Sequence, residues 1–277
     1  MHSIDLWRFD LDQPEAICAA LAQSLSAQEQ ARAARFVFER DRHRYIVGRG
    51  QLRLRLGGYL DCDAAQVPIV TARHGKPRLP DAEPPLHFNL SHSGALAVLA
   101  VSTRFEVGVD VAELRDIEEN LAERFFAPGE CVQLRNVPAP ERLAAFFRCW
   151  TRKEAFVKAL GLGLSLPLDS FEVSIADESE PRLIWWREKP EAVARWRFFS
   201  FTLEHSPAKW MPVGAGKIRQ TKGEKPHSDA LGMEKTLGPE AIGALAFDAQ
   251  GCDVAVNWRS APAPDVATIT GGGRPFR

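Results

Sequence analysis

Apolar side chains recur at helical spacing in one long uninterrupted stretch of the chain. Between residues 141 and 160 there is no proline or glycine, and Phe146, Trp150 and Val157 follow one another at intervals of four and seven residues. These intervals place the three side chains on one face of an α-helix. Gly161 comes next, and glycine is common just after a helix ends. The pattern predicts an amphipathic helix over residues 141–160.

Shorter apolar runs, several of them rich in β-branched residues, predict strands on both sides of this helix. A second long helix is predicted near residues 27–60. The predicted strands lie near residues 67–72, 85–90, 95–101, 106–111, 171–175, 182–187 and 197–203. This order of elements predicts an α+β chain of two αβ lobes, residues 1–103 and 104–258.

The composition changes after residue 205. Five of the nine lysines lie in residues 206–239, together with many glycines and prolines and no apolar periodicity, so we predict a disordered insertion there. The runs 241–247 and 253–258 flank Asp-Ala-Gln-Gly and are predicted to form a hairpin that closes the second sheet. Residues 259–277 are predicted to form a disordered tail.

Lysine is rare before residue 205, and two lysines lie close together on the predicted helix. Residues 1–204 contain four lysines, of which Lys153 and Lys158 lie on either side of Glu154. Glu154 and Lys158 are one helical turn apart, on the stripe that also carries Trp150, whereas Lys153 lies off it. An exposed Glu–Lys pair on an amphipathic helix is the alternative to a functional site.

Three further motifs bring polar residues into apolar surroundings. They are Gly75-Lys76-Pro77, His87-Phe-Asn-Leu-Ser-His-Ser93 and the strand Val107-Gly-Val-Asp-Val111. Asp110 on this strand and Glu154 on the helix can face one point, an arrangement that suits Mg²⁺ bound by two carboxylates, waters and substrate phosphates. The alternative is that Asp110 simply begins a loop.

Taken in order, these motifs are similar to those of a known enzyme family. With Trp150-x-x-Lys-Glu-x-x-x-Lys158 and the glycine-rich segment 161–171, they resemble the larger, two-lobed 4′-phosphopantetheinyl transferases, of the type that activates surfactin synthetase. The resemblance runs from about Asp5 to Phe201. It implies two similar αβ lobes related by pseudo-twofold symmetry, with coenzyme A in the cleft between them. It also implies transfer of the phosphopantetheine arm to a serine of an acyl or peptidyl carrier protein, with release of 3′,5′-ADP.

The resemblance also implies roles for individual residues. Asp110 and Glu154 hold the Mg²⁺ that binds the pyrophosphate of coenzyme A, and Lys158 stabilises the departing 3′,5′-ADP. Glu154 and Lys158 therefore count as catalytic. The residues assigned to coenzyme A are Arg44, Lys76, Ser91, His92 and Lys158, with Arg32 as a second candidate for the 3′-phosphate that Arg44 binds.

The chain departs from the family at one metal-binding position. Many relatives carry a second acidic residue two positions after the aspartate, where this chain has Ala112. Either Glu113 reaches the metal through a local shift or a water replaces the missing carboxylate. Side chains alternate along a strand, so Glu113 is expected to face away from Asp110 unless the strand ends first.

Glu130 occupies a position proposed in relatives as the base that takes the proton of the carrier serine. The alternative is a carboxylate that complements the dipole in the first turn of a helix, because Glu130 directly follows Pro-Gly. For Lys153 the alternative to a catalytic role is a solvated lysine. His87 and Ser93 are expected only to shape their turn.

The protein partner is expected to dock beside this site. In relatives, apolar and basic residues around Phe125, Phe126 and the following helix receive an acidic helix of the carrier. Here Arg124, Arg135 and Arg142 can supply the positive charge. We expect charge reversal at these arginines to impair carrier modification while coenzyme A binding is kept.

Composition excludes several other classes of protein. A basic cluster at residues 40–44 resembles an RNA-binding patch, but a net charge of −1 and a pI near 6.7 give no broad basic field. Ser91 and His92 are adjacent, and the chain has no Gly-x-Ser-x-Gly motif, which argues against a hydrolase. A non-catalytic module that binds coenzyme A or a carrier, with a decayed metal site, is a further alternative because of Ala112.

Cysteine usage and the N-terminal sequence predict the compartment. Five cysteines are scattered without a Cys-x-x-Cys pair, which is typical of reduced thiols. The N-terminus has no signal-peptide pattern, and the apolar run 95–101 is too short to span a bilayer. We therefore predict a cytoplasmic enzyme that binds neither nucleic acid nor membrane. It is expected to be a monomer, because one chain holds both lobes.

Overall fold

The structure is a computed structural model that describes residues 2–80, 83–176, 180–203, 210–212 and 241–260. The first half of the chain forms β1 (His2–Asp10), α1 (Glu15–Ala22), α2 (Ala27–Ala33), α3 (Glu39–Leu60), β2 (Val70–Thr71), β3 (Pro77–Arg78), β4 (His87–Ser93) and β5 (Leu96–Ser102). The second half forms β6 (Val107–Glu113), α4 (Leu121–Phe125), α5 (Pro128–Asn136), α6 (Ala139–Leu160), β7 (Phe171–Val173), β8 (Leu183–Trp186), β9 (Trp196–Leu203), β10 (Trp210–Pro212), β11 (Ala241–Asp248) and β12 (Val254–Ser260).

Two four-stranded sheets form the centre of the described molecule. Their strand orders are β12-β1-β5-β4 and β10-β9-β11-β6. Neighbouring strands are antiparallel except for β1 and β12, which are parallel. Strands β4 and β6 are therefore the edges at which the two sheets adjoin.

The alternation of side chains along the strands explains the layers. On β5, Leu99 and Val101 pack under α3, whereas Val98 packs into a cluster shared with the second sheet. On β11, Leu245 lies in that shared cluster and Ala244 lies under α6. Because successive side chains on a strand point to opposite faces, each sheet buries one face on its helix and the other on the second sheet.

Helix α6 lies very close to β6, and Gly108 makes this possible. A Cβ atom at Gly108 would collide with the backbone of Ala155 and Ala159. This close approach brings the side chains on the exposed edge of α6 next to those of β6. The helix ends at Gly161, which adopts φ 69°, a left-handed conformation that glycine adopts without strain.

Most of the predicted elements are present, but the helix predicted near residues 27–60 is divided. Residues 34–38 interrupt it between α2 and α3. Ser26 and Glu29 form a capping box that starts α2 as a separate helix. Within the break, the Phe36 ring turns back onto Tyr45, with ring centroids 5.2 Å apart. Strand β1 and helix α1 were not predicted.

The predicted hairpin at the end of the chain is wrong. The chain does turn at Gln250 and Gly251, which both have positive φ, but β11 and β12 belong to different sheets. β12 pairs with β1, and Asp5 of β1 accepts hydrogen bonds from Asn257 and Arg259. Asp5 thus binds β12 to the first sheet.

The predictions of disorder fall mainly on residues outside the described ranges. Within the predicted insertion, residues 210–212 form β10, which extends the second sheet beside β9. Residues 259–260, assigned to the tail, belong to β12. The lobe boundary at residues 103 and 104 stays a prediction. Among the described helices, none combines the length and apolar composition needed to cross a membrane.

Candidate active site

Three side chains from three elements meet where β4, β6 and α6 come together. Lys158 Nζ lies 2.6 Å from Asp110 Oδ1 and 3.0 Å from Ser91 Oγ. Ser91 in turn donates a hydrogen bond to Asp110 Oδ1 at 2.9 Å. Asp110 is only 6% exposed, whereas the Lys158 side chain is 29% exposed. These three contacts connect β4, β6 and α6, and Lys158 is the member that reaches solvent.

Glu154 faces the same place from one turn earlier on α6. Burial raises the pKa of the Glu154 carboxyl, and the negative charge of Asp110 raises it further, against the opposing effect of Lys158. Both hydrogen bonds to Asp110 end on Oδ1. Two carboxylates that repel each other beside a partly buried surface are a donor set that a hard cation stabilises. The side chains present therefore fit Mg²⁺.

No third acidic side chain joins this pair among the residues that the structure describes. No group of three histidine, cysteine, aspartate or glutamate side chains there is arranged to hold a metal. Ala112 packs toward the α6 core, and the carboxylate of Glu113 lies against Gly94 instead. Glu113 therefore does not replace the missing ligand in this arrangement. A water ligand in its place stays a prediction.

His92 and Arg44 extend the site along the first lobe. The His92 side chain is solvent-accessible, yet surrounding protein atoms lower its pKa, and the charges of Lys158 and Arg44 lower it further, against the opposing effect of Asp110. Arg44, on α3, forms two hydrogen bonds to Asp12, at 2.6 and 2.7 Å. Positive charge from both lobes thus acts on one imidazole.

Arg32, the second candidate for the 3′-phosphate, lies on α2 beside Tyr45. Its guanidinium carbon lies 5.5 Å from the centre of the Tyr45 ring, within the range of a cation–π interaction. Its assignment to the 3′-phosphate stays a prediction.

Lys76 bridges the two lobes. Its ammonium donates hydrogen bonds to Glu106 at 2.7 Å, to the Ala159 carbonyl at 3.0 Å and to the Val107 carbonyl at 3.2 Å. Burial favours a higher pKa for Glu106, but the contacts from His87 and Lys76 outweigh it and lower that pKa to about 2. The group lines an interlobe cavity of about 450 Å³.

Glu130 and Lys153 lie inside the protein, away from solvent. Both side chains are 0% exposed, and the Lys153 ammonium is 2.6 Å from the Glu130 carboxylate. Glu130 also accepts the N–H groups of Ala127 and Val173, and Lys153 donates to the Phe171 carbonyl. The interpretation of Lys153 as a solvated side chain is wrong. Burial raises the pKa of Glu130, against the effect of Lys153.

The arginines expected to receive the carrier are engaged at the surface of α4, α5 and α6. Arg124 and Arg135 lie 3.5 Å from Glu118 and Glu123, respectively. Arg142 donates a hydrogen bond to the Val137 carbonyl at 3.2 Å. Their role in docking stays a prediction.

Two features around this site were not predicted from the sequence. Asn89 and Ser93, which flank Ser91 at intervals of two, both contact β6, so the expectation that Ser93 only shapes its turn is wrong. Small polar residues at every second position of a strand were the available signal for this contact. The buried partner of Lys153 was also missed, because Glu130 lies far from it in the sequence.

Comparison with known proteins agrees with this architecture. A sequence model of the 4′-phosphopantetheinyl transferase superfamily matches residues 106–210, and a model described as 4′-phosphopantetheinyl transferase, N-terminal, matches residues 13–104. The chain is 44% identical over 184 residues to the 4′-phosphopantetheinyl transferase HetI of Nostoc sp., covering 65% of this chain and 77% of that protein.

Two proteins of Bacillus subtilis are also similar. One, a 4′-phosphopantetheinyl transferase, is 35% identical over 56% of this chain and 68% of its own length. The other, the 4′-phosphopantetheinyl transferase Sfp, is 33% identical over 56% of this chain and 69% of its own length. The chain belongs to the 4′-phosphopantetheinyl transferase superfamily.

Proposed function

We propose that this protein transfers the 4′-phosphopantetheine arm of coenzyme A to a serine hydroxyl of an acyl or peptidyl carrier protein, releasing 3′,5′-ADP. The observation that carries the proposal is the convergence of Asp110, Glu154 and Lys158 at the junction of the two lobes. The nucleophile belongs to the partner, so the enzyme needs charge and positioning rather than an activated serine or cysteine of its own.

Asp110 and Glu154 are the residues that hold Mg²⁺ in this proposal. When bound, the ion neutralises negative charge on the diphosphate of coenzyme A. The fit rests on the two adjacent carboxylates, because Mg²⁺ readily completes its coordination with waters and phosphate oxygens. Removal of divalent cations is expected to abolish transfer.

Lys158 acts on the leaving group. A bond forms between the carrier serine oxygen and the phosphorus that bears the pantetheine arm, while the bond from that phosphorus to the bridging oxygen breaks. The Lys158 ammonium, held by Asp110 and Ser91 at the edge of the site, donates a hydrogen bond to this oxygen as its negative charge grows. The product 3′,5′-ADP keeps that oxygen.

The first lobe supplies the groups that bind coenzyme A. We assign phosphate contacts to Ser91, His92 and Arg44, and retain Arg32 and Lys76 as further candidates. The effect of Lys158 and Arg44 on His92 supports a shared anion-binding region. Lys76 already has three acceptors, so a phosphate must compete with Glu106 for its ammonium.

The reaction also requires a general base that takes the proton of the carrier serine. The geometry gives no support to Glu130, because a base must reach the serine hydroxyl and this carboxylate is fully buried against Lys153. Glu130 fits a positioning role, since Lys153 directly precedes Glu154 on α6.

The partner is an acyl or peptidyl carrier whose acidic helix meets the arginines near α5. The proposed reaction requires no binding to nucleic acid or to a membrane. A cytoplasmic monomer is sufficient, because the two lobes that supply Lys158 and Ser91 are in one chain.

The decisive experiment is intact-mass spectrometry of apo acyl and peptidyl carriers incubated with the protein, coenzyme A and Mg²⁺. We expect the carrier to gain one phosphopantetheine, and Lys158→Ala to lower kcat by about 100-fold or more. Lys189→Ala is the matched control, because Lys189 lies over the Trp186 ring in the second lobe, away from Asp110. Tight coenzyme A binding without any mass gain would favour the non-catalytic module.

A further inference from the structure

Polar side chains at alternate positions of β4 form hydrogen bonds with the backbone edge of β6. Three backbone N–H groups of β6 point toward β4 rather than toward a neighbouring strand of their own sheet, and each donates a hydrogen bond to a side chain of β4. The bonds are Val109 to Asn89 at 2.8 Å, Val111 to Ser91 at 3.3 Å and Glu113 to Ser93 at 3.0 Å.

These bonds fix how the two edge strands are aligned. Alternate residues of a strand share one face, and alternate N–H groups share one edge, so both rows have the same spacing. A shift by one residue would bring Phe88 and Leu90, which pack toward the first-lobe core, opposite the N–H groups. Those buried donors would then lack acceptors, which is costly.

Asp110 lies between two residues of β6 whose backbone N–H groups are bonded to β4. Asn89 holds the N–H group before it and Ser91 holds the N–H group after it. Ser91 also contacts Asp110 and Lys158 directly, but Asn89 and Ser93 contact only the β6 backbone in these bonds. The position of the Asp110 carboxylate relative to the first lobe therefore depends on side chains that do not touch it.

We propose that Asn89 and Ser93 are positioning residues that keep Asp110 aligned with the phosphate-binding groups of the first lobe. This inference rests on the proposed function, because it concerns the alignment of two halves of that site. Asn89 acts through the backbone of Val109, and Ser93 acts through the backbone of Glu113. Neither residue needs to contact coenzyme A, the metal ion or the carrier.

The test compares Asn89→Ala with Ser102→Ala. Ser102 is a matched control because it is 2% exposed and its hydroxyl accepts the backbone N–H groups of Arg104 and Phe105, away from Asp110. Both variants are expected to lower the Tm. Only Asn89→Ala is expected to raise the Mn²⁺ concentration for half-saturation in the presence of coenzyme A, by about tenfold, measured by electron paramagnetic resonance. Hydrogen exchange at residues 107–113 should accelerate in the same variant alone.

Ser93 provides a second test that does not depend on Asn89→Ala being folded. Ser93→Ala should weaken Mn²⁺ binding, and Ser93→Thr, which keeps the hydroxyl acceptor, should restore it. Equal Mn²⁺ half-saturation in the unaltered protein, Asn89→Ala and Ser93→Ala would overturn the proposal.

The two proposals fail in different ways. If the unaltered protein binds Mn²⁺ with coenzyme A but modifies no carrier, the proposed function is wrong while the altered Mn²⁺ binding of the variants still supports the positioning role. If the unaltered protein modifies carriers and Asn89→Ala behaves like Ser102→Ala, only the positioning role is wrong.

Discussion

At the scale of single residues, the two lysines of α6 have opposite environments. Lys158 is partly exposed beside Asp110, whereas Lys153 is fully buried beside Glu130. Five positions separate them, so they leave the helix in different directions. One ammonium is available to a substrate, and the other connects α6 to α5 and β7 through Glu130 and Phe171.

Glu130→Gln should distinguish a structural carboxylate from a catalytic base. The substitution leaves the Lys153 ammonium buried without its counter-charge, and we expect the free energy of unfolding in urea to fall by about 3–5 kcal/mol. The double variant Glu130→Gln/Lys153→Met should recover part of this loss, because it removes the buried charge. A variant that loses activity but keeps its full stability would instead support Glu130 as the base.

At the scale of elements, α6 was predicted well because its signals are local. The apolar period and the glycine after its end predict residues 141–160, and the structure has Ala139–Leu160. The division of residues 27–60 was not predicted, because it involves Phe36 packing back onto Tyr45, a contact that forms only when the chain folds. Strand β12 was misplaced because its partner β1 lies about 250 residues away in sequence, beyond the reach of any local pattern.

The same division between local and distant signals applies to the site. Asp110, Glu154 and Lys158 were named from motifs, and the structure brings them together. The contacts of Lys76 with Glu106 and of Lys153 with Glu130 join parts of the chain that are distant in sequence. Burial and pairing of this kind arise only when the chain packs, so the residue types alone could not reveal them.

The contact between α6 and β6 gives a prediction at the element scale. Gly108→Ala should push α6 away from β6, because the added Cβ meets the backbone of Ala155 and Ala159. We expect a loss of about 1–3 kcal/mol in the free energy of unfolding, together with reduced transfer activity. Gly48→Ala is the control, since its Cβ meets only Leu11 at an ordinary 3.5 Å. This change within α3 is expected to be neutral or stabilising by up to about 1 kcal/mol, and equal stability of the two variants would contradict the packing argument.

At the scale of the whole molecule, the two lobes are joined by an apolar interface and by polar bridges at its edge. The facing sheets bury side chains such as Leu6, Val98 and Leu245 in one shared cluster. The bridge from Lys76 to Glu106 lies beside the interlobe cavity. Apolar burial supplies most of the attraction, and the polar bridges fix the alignment of the lobes.

The Glu106 bridge predicts an acid-dependent loss of stability. The pKa of the Glu106 carboxyl falls from 4.5 to about 2 in the folded protein, so the ionised carboxylate stabilises the fold above pH 4.5. That contribution is lost as the pH falls toward 2. Thermal unfolding between pH 5 and about 2 should therefore show a shallower decline of Tm for Glu106→Gln than for the unaltered protein. An identical decline in both proteins would exclude this role for Glu106.

The parallel pairing of β12 with β1 has a consequence for synthesis on the ribosome. Strand β1 obtains one of its two neighbours only after residues 254–260 have been translated. Until then, one backbone edge of β1 is open to pairing with other chains. Contacts between such distant parts of a sequence also slow folding. The nascent protein therefore has to protect the open edge of β1 until β12 has been made.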